Sequence, residues 1–326
     1  MAVTRLYITI DTEYDFGFTF RNGAQSRQAN FARSIACATP DGEVGIGYQM
    51  DMLEAHGLKA VFFVDPMPAL IWGTAAIEDI VSPVIERGHD VQLHIHTEWL
   101  ELAGSANPVR QRTGQNIKDF SFEDQCILLG YARDILVAAG APAPVAFRAG
   151  NYGANDDTLR ALAEIGIAYD TSHCPSISGS HCAISLSSGC RMPVSHCGLI
   201  EVPIGCIAGP NRKLRHAQLT AISSAETLAA LHHCLKNEIG AFTLVSHSFE
   251  LLSRDRSRVN RIVRRRFEKL CARLSLLHGV QTGTYSCSPP RIGQDSRENS
   301  VLPFNPLRTG LRIAEQAATN AMYGSR

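Results

Sequence analysis

The sequence predicts an α/β protein with a mainly parallel sheet and helices packed outside it, and three observations lead there. Short apolar, β-branched runs alternate with helix-period segments through most of the chain. The most reactive side chains stand at or just past the ends of those runs. No Gly-rich dinucleotide fingerprint follows the first run, and no Walker-type phosphate loop occurs. The length of 326 residues and the number of units favour a barrel. A doubly wound open sheet is the alternative.

Leu6 to Ile10 reads as the first strand, followed by a polar loop to about Glu43. A helix carrying Met50 and Leu53 ends at Gly57, a natural left-handed cap. Ala60 to Val64 is a continuous apolar run suited to a strand covered on both faces. A helix ending near Gly88 precedes the strand Asp90 to Leu93. Phe122 to Ala139 reads as a helix with Ile127, Leu128, Ala132 and Leu136 inward, and Pro144 to Phe147 as the strand before Arg148. Asn155 is an expected N-cap, with Asp156 and Asp157 at the positive helix end. Gly166 ends that helix before the strand Ile167 to Tyr169. Ser223 and Glu226 form a capping box, and Ala241 to Val245 leads to His247.

Lys plus Arg and Asp plus Glu are equal at 31 each, which argues against nucleic acid or an anionic membrane surface as the main partner. The opening MAVTRLYITIDTEYD enters a strand at once and lacks the layout of a secretory signal, so a cytoplasmic location is expected. No window reaches the roughly 18 continuous apolar residues of a membrane span. The ten cysteines include no CxxC pair and are read as reduced, small apolar residues.

In a parallel barrel the C-terminal strand ends converge on one face. Asp11, Glu13, His94, His96, Arg148, Asp170 and His247 would therefore meet around one site. Asp11 and Glu13, two apart, share a side of an extended segment, so one can bind a metal while the other handles a proton. His94 pairs with His96 if the strand persists, or with Glu98 if the chain curls into a helical turn. Either set suits zinc or a similar divalent ion.

Taken in order, ITIDTE, GHDVQLHIHTEW, FRAGNYG and TLVSH resemble the motifs of the polysaccharide deacetylase family, most closely its intracellular branch with an LHxH-type second motif. The resemblance spans about Leu6 to Tyr285. It implies a distorted (β/α) barrel of about seven parallel strands, one divalent metal ion of which zinc is the expected one, and hydrolysis of an N-acetyl group on a sugar or glycan precursor. By the same resemblance Asp11 is the catalytic base, and Arg148 holds it ionised. His247 protonates the leaving amine, and His94 is a metal ligand. The backbone near Asn151 and Tyr152 helps bind the oxyanion. Asp170 stands where the family has an acidic residue contacting a catalytic histidine. Where the family has a second aspartate this chain has Thr12, and Glu13 is the natural substitute. The family's second histidine position is Glu98, with His96 as a further ligand, and RAGNYG is one residue longer than the common form.

Two alternatives accompany this expectation: hydrolysis of another amide or a cyclic ureide on the same barrel, or a catalytically silent glycan-binding barrel. The pairs His173-Cys174, His181-Cys182 and His196-Cys197, with Cys190 and Cys206, match no compact zinc module by spacing. The arginine run from Arg254 to Arg266 reads as the basic outer face of an amphipathic helix that carries Val259, Ile262, Val263, Phe267, Leu270 and Leu274. Residues 1–285 are expected to form the barrel. Residues 286–326 are expected to form a peripheral tail with a weak helix from about Leu311 to Ala321. The sequence leaves the oligomeric state open.

Overall fold

The computed structural model describes residues 3–177, 181–293 and 300–324. Among them, nine strands make one curled sheet. Seven lie parallel and adjacent: β1 (Thr4–Thr12), β2 (Val61–Val64), β3 (Asp90–Ile95), β4 (Ala146–Ala149), β5 (Tyr169–Asp170), β6 (Leu199–Glu201) and β7 (Ala241–His247). Their spatial order is β7-β1-β2-β3-β4-β5-β6. A short strand, β8 (Val280–Thr282), runs parallel to the start of β1, and Val194–His196 runs antiparallel to β6 at the far edge. The open side between β6 and β7 is spanned by irregular backbone. Gly205 N–H donates to the Thr243 carbonyl at 3.0 Å, Leu219 N–H to Val245 at 2.9 Å, and Val245 N–H to Ala217 at 2.8 Å. The architecture is therefore an α/β barrel distorted at one seam, as expected.

Strand alternation sorts the side chains. Leu6, Ile8 and Ile10 join the main core beneath the outer helices, whereas Tyr7 joins Val61, Phe63, Ala146, Val202 and Tyr285 in a separate cluster that fills the inside. Asp11 has the parity of Tyr7 and thus faces inward at the C-terminal end of β1. Thr12 has the opposite parity and turns its hydroxyl back to the Ile10 carbonyl. Register then sets the neighbours. Asp11 pairs with His247, and His94 pairs with Arg148.

The expected caps are present. Asn155 accepts from Thr158 N–H, and Ser223 and Glu226 bond reciprocally. Four expectations need correction. The polar stretch before Glu43 contains two short helices, Phe16–Asn22 and Arg27–Ser34. They are short, seven and eight residues, and are tied together by Asn30, which bonds the Asp15 carbonyl and the Thr19 hydroxyl. Ile127 is exposed, not inward, because the buried stripe of its helix runs through Leu128, Leu129, Ala132 and Leu136. Arg266 is buried, not on a basic outer face: Nη1 donates to the Leu219 and Ile222 carbonyls, and Nη2 meets Glu315.

That glutamate lies on the helix Pro306–Tyr323, which starts five residues earlier than expected because Asn305 caps it ahead of Pro306. Residues 294–299 and 325–326 of the expected tail lie outside the described residues. Among the described residues no helix is long and apolar enough to cross a membrane.

Candidate active site

At the C-terminal mouth of the sheet, β1 and β4 meet through a buried ion pair. Arg148 Nη1 donates to Asp11 Oδ1 at 2.6 Å and to Thr9 Oγ1 at 2.8 Å, and the guanidinium lies 4.5 Å from the Phe63 ring centroid. Breaking a buried pair by removing one partner typically costs about 3–5 kcal/mol, so each charge holds the other in place. The second oxygen of Asp11 lies 4.0 Å from His247 Nε2. On the other side of that ring, Nδ1 lies 2.6 Å from Glu250 Oε2. Glu250 in turn accepts hydrogen bonds from Gln218 Nε2 and from the Thr220 hydroxyl. Burial by itself would lower the His247 pKa, but the charge and hydrogen bond of Glu250 outweigh it and push it up to about 9.

Beside this line, Glu13, His94 and His96 bring one donor atom each to within 4.8 Å of one another. Glu13 Oε2 lies 2.5 Å from His96 Nε2 and 3.3 Å from His94 Nε2. The strand persists through Ile95 and His96 stays extended, so the two imidazoles share a side and their centroids stand 4.9 Å apart. Burial would raise the Glu13 carboxyl, yet the two histidines hold it well below the usual range. His96 is correspondingly raised well above its ordinary value, against the effect of burial.

This donor set fits a divalent ion. His94 Nδ1 is 2.7 Å from the Arg148 carbonyl, which makes Nδ1 the protonated nitrogen and leaves the Nε2 lone pair facing the cluster. The ring of His96 is cradled by Gly150, where a Cβ would fall 2.7 Å from it. Glu98 stands outside the cluster, 3.6 Å from His96 Nδ1. It is therefore a neighbour of a donor and not one of the three.

Asn151 and Tyr152 both adopt left-handed backbone (φ 55° each), an arrangement that tightens the loop after β4. Asp170 is not at the mouth, which overturns its expected contact with a catalytic histidine. It pairs in register with Phe147, whose side chain packs in the outer core, so parity turns Asp170 away from the inside. There it accepts from Ser172 N–H and Oγ and lies beside Glu201. Burial, reinforced by the Asp170 charge, raises the Glu201 carboxyl well above its ordinary value.

Two residues were missed in the sequence. Glu250, not Asp170, is the acidic partner of His247, and its spacing of three residues was a usable signal. Asp65 follows β2 directly, so the strand-end rule applied to Asp11 would have found it. Its Oδ1 accepts from the backbone of Met67 at 3.0 Å and His96 at 3.4 Å, while Oδ2 is buried without a hydrogen-bond partner. Burial pushes the Asp65 carboxyl up to about 6 despite the nearby His96 and His94.

No protein-family model and no curated protein sequence matches the chain. Solved structures do. A structure from Mycobacterium smegmatis assigned as a polysaccharide deacetylase superposes with a TM-score of 0.53 at 16% identity, covering 91% of this chain and 96% of that one. The 4-alpha-glucanotransferase from Thermococcus litoralis gives the same TM-score at 14% identity, covering 89% of this chain but only 41% of that one. At such identities the likeness concerns the fold alone: the chain shares the distorted α/β barrel of these two structures, and Asp11, His247, His94 and Arg148 lie at the C-terminal ends of its strands.

Proposed function

We propose that the protein is a divalent-metal-dependent hydrolase that removes the N-acetyl group from a sugar or glycan precursor in the cytoplasm. The observation that carries this reading is the placement of Asp11 between Arg148 and His247, beside the cluster of Glu13, His94 and His96. Glu13, His94 and His96 would hold the ion, with zinc the best match to two imidazoles and a carboxylate. When bound, it supplies Lewis-acid polarisation of the acetyl carbonyl.

The chain's own groups cover the proton transfers. Asp11, aimed by its hydrogen bond from Arg148, accepts the proton of the attacking water. His247 is protonated at neutral pH because its pKa is pushed up to about 9, and it delivers that proton to the departing nitrogen. Glu250 holds the imidazolium in place through Nδ1. The backbone N–H groups around Asn151 and Tyr152 are assigned to the developing oxyanion, a kind of contact worth about 3 kcal/mol per donor. The parity of Thr12 supports Glu13 as the ligand from the first motif, since Thr12 points away from the inside.

The test is acetate release from a panel of N-acetyl sugars by zinc-loaded wild type, Asp11→Asn and His94→Ala, with zinc content measured alongside. Release by wild type alone, with one equivalent of zinc fewer in His94→Ala, is expected. Zinc at this cluster without acetate release would redirect the reading to another amide or a cyclic ureide. No difference in zinc between wild type and His94→Ala would favour the glycan-binding barrel.

A further inference from the structure

Of the three His-Cys pairs, His196-Cys197 is brought to a third donor from a distant part of the chain. Asp156, His196 and Cys197 each place one ligand atom within 4.8 Å of the others, in a group separate from Glu13, His94 and His96. His196 Nε2 lies 3.2 Å from Asp156 Oδ1. Ser185 adds a fourth donor, its hydroxyl 2.5 Å from Asp156 Oδ2 and 3.4 Å from His196 Nε2. With bonds of 2.0–2.3 Å, a tetrahedral zinc ion separates its donors by about 3.3–3.8 Å, so small side-chain adjustments close this group around an ion. One carboxylate and one thiolate would balance a dication.

The backbone beneath the group is unusual in a way that favours this use. Val194–His196 and β6 form a hairpin whose two-residue turn is Cys197-Gly198, both with positive φ (48° and 91°). That turn ordinarily takes Asn or Asp before Gly. Cysteine cannot relieve the left-handed conformation with a short polar side chain, so its presence there points to a role for the thiol. Gly198 seats the turn on the helix Asp156–Glu164, where an added Cβ would stand 3.2 Å from that of Ala163.

We propose that Asp156, His196 and Cys197, with the Ser185 hydroxyl or a water in the fourth position, form a second, structural site for a thiophilic divalent cation such as zinc. Such an ion would pin the turn at 197–198 and the Ser185 segment to the first turn of the helix 156–164. That helix begins shortly after Gly150, the residue that cradles His96, so the second ion would brace the loop behind the catalytic cluster. Binding would release the thiol proton, which makes affinity rise with pH.

Cobalt(II), which reports thiolate ligation by a near-UV charge-transfer band, is the probe, used on the full-length protein. The test compares wild type, Glu13→Gln, Cys197→Ser and Cys197→Asn. The band should appear in wild type and Glu13→Gln and vanish in both Cys197 variants, with zinc content one equivalent lower in each than in wild type. Cys197→Asn suits the turn better than cysteine does, so a lost band in a folded variant reports the ligand and not the fold. Absence of the band in wild type, or its survival in Cys197→Asn, would overturn the second site. The Glu13→Gln measurement keeps this outcome separate from that of the catalytic cluster.

Discussion

The two sides of the mouth are built on different principles. On the side of Asp11, Arg148, His247 and Glu250, both Asp11 and His247 are aimed by a protein partner: Arg148, itself bonded to Thr9, holds Asp11, and Glu250 with Gln218 and Thr220 holds His247. On the side of Glu13, His94, His96 and Asp65, acidic and imidazole groups crowd one another, and one carboxylate oxygen of Asp65 is buried unbonded. A buried polar atom without a partner costs roughly 1–3 kcal/mol and persists where another demand holds it. Each side thus leaves one buried polar atom unbonded, Arg148 Nη2 on the first and Asp65 Oδ2 on the second, and the contrast is that Asp11 and His247 are each aimed by a dedicated partner while the other side is organised around charge balance.

The largest effect that would sharpen this contrast is expected from His94→Ala. Removing one of three donors should abolish metal retention at the cluster and reduce acetate release to background, while the fold stays intact by circular dichroism. Asp11→Asn should lower the turnover by about 10²–10⁴-fold, the usual range for a lost general base, with zinc content unchanged. A parallel loss of zinc in Asp11→Asn would erase the division between the two halves.

Asp65→Asn keeps the shape and the acceptor for His96 N–H but removes a buried negative charge. Zinc affinity, measured against a competing chelator, should fall by about 10–100-fold, as for other partners that support ligands from behind. An unchanged affinity would move Asp65 out of the donor side. The smallest effect at neutral pH is expected from Glu250→Gln. The alkaline limb of the rate profile should move from about 9 down toward the ordinary histidine value near 6.5. The sign follows from the raised pKa: the His247–Glu250 pair contributes its full stabilisation below about 6.5, and this is lost as pH rises through about 9. A pH profile unmoved by Glu250→Gln would mean that His247 is not the acid.

Most of the architecture was legible because its signals are local. Apolar runs such as Ala60 to Val64, caps such as Asn155 and Ser223, and reactive residues at strand ends need no knowledge of distant contacts. The HxH spacing gave one of two possible pairings, and the strand running through Ile95 selects His94 with His96. The helices at Phe16–Asn22 and Arg27–Ser34 were not legible, since each is only two turns long and is tied in place by contacts such as Asn30 to Asp15 and Thr19. Nor was the burial of Arg266: an arginine in a basic run looks solvated until carbonyls from another segment surround it.

What the sequence determined by itself was the class of fold, the order of its units and the kind of side chain at each strand end. These follow from periodicity, turn chemistry and side-chain type, which act over a few residues. Only the tertiary structure decided which of those side chains meet. Register set Asp11 against His247 and His94 against Arg148, and one step of parity turned Asp170 outward. Glu250 took the place expected for Asp170, and Cys197 reached Asp156 across forty-one positions of chain. Pairing register and curl are properties of the whole sheet, so no local window of sequence contains them.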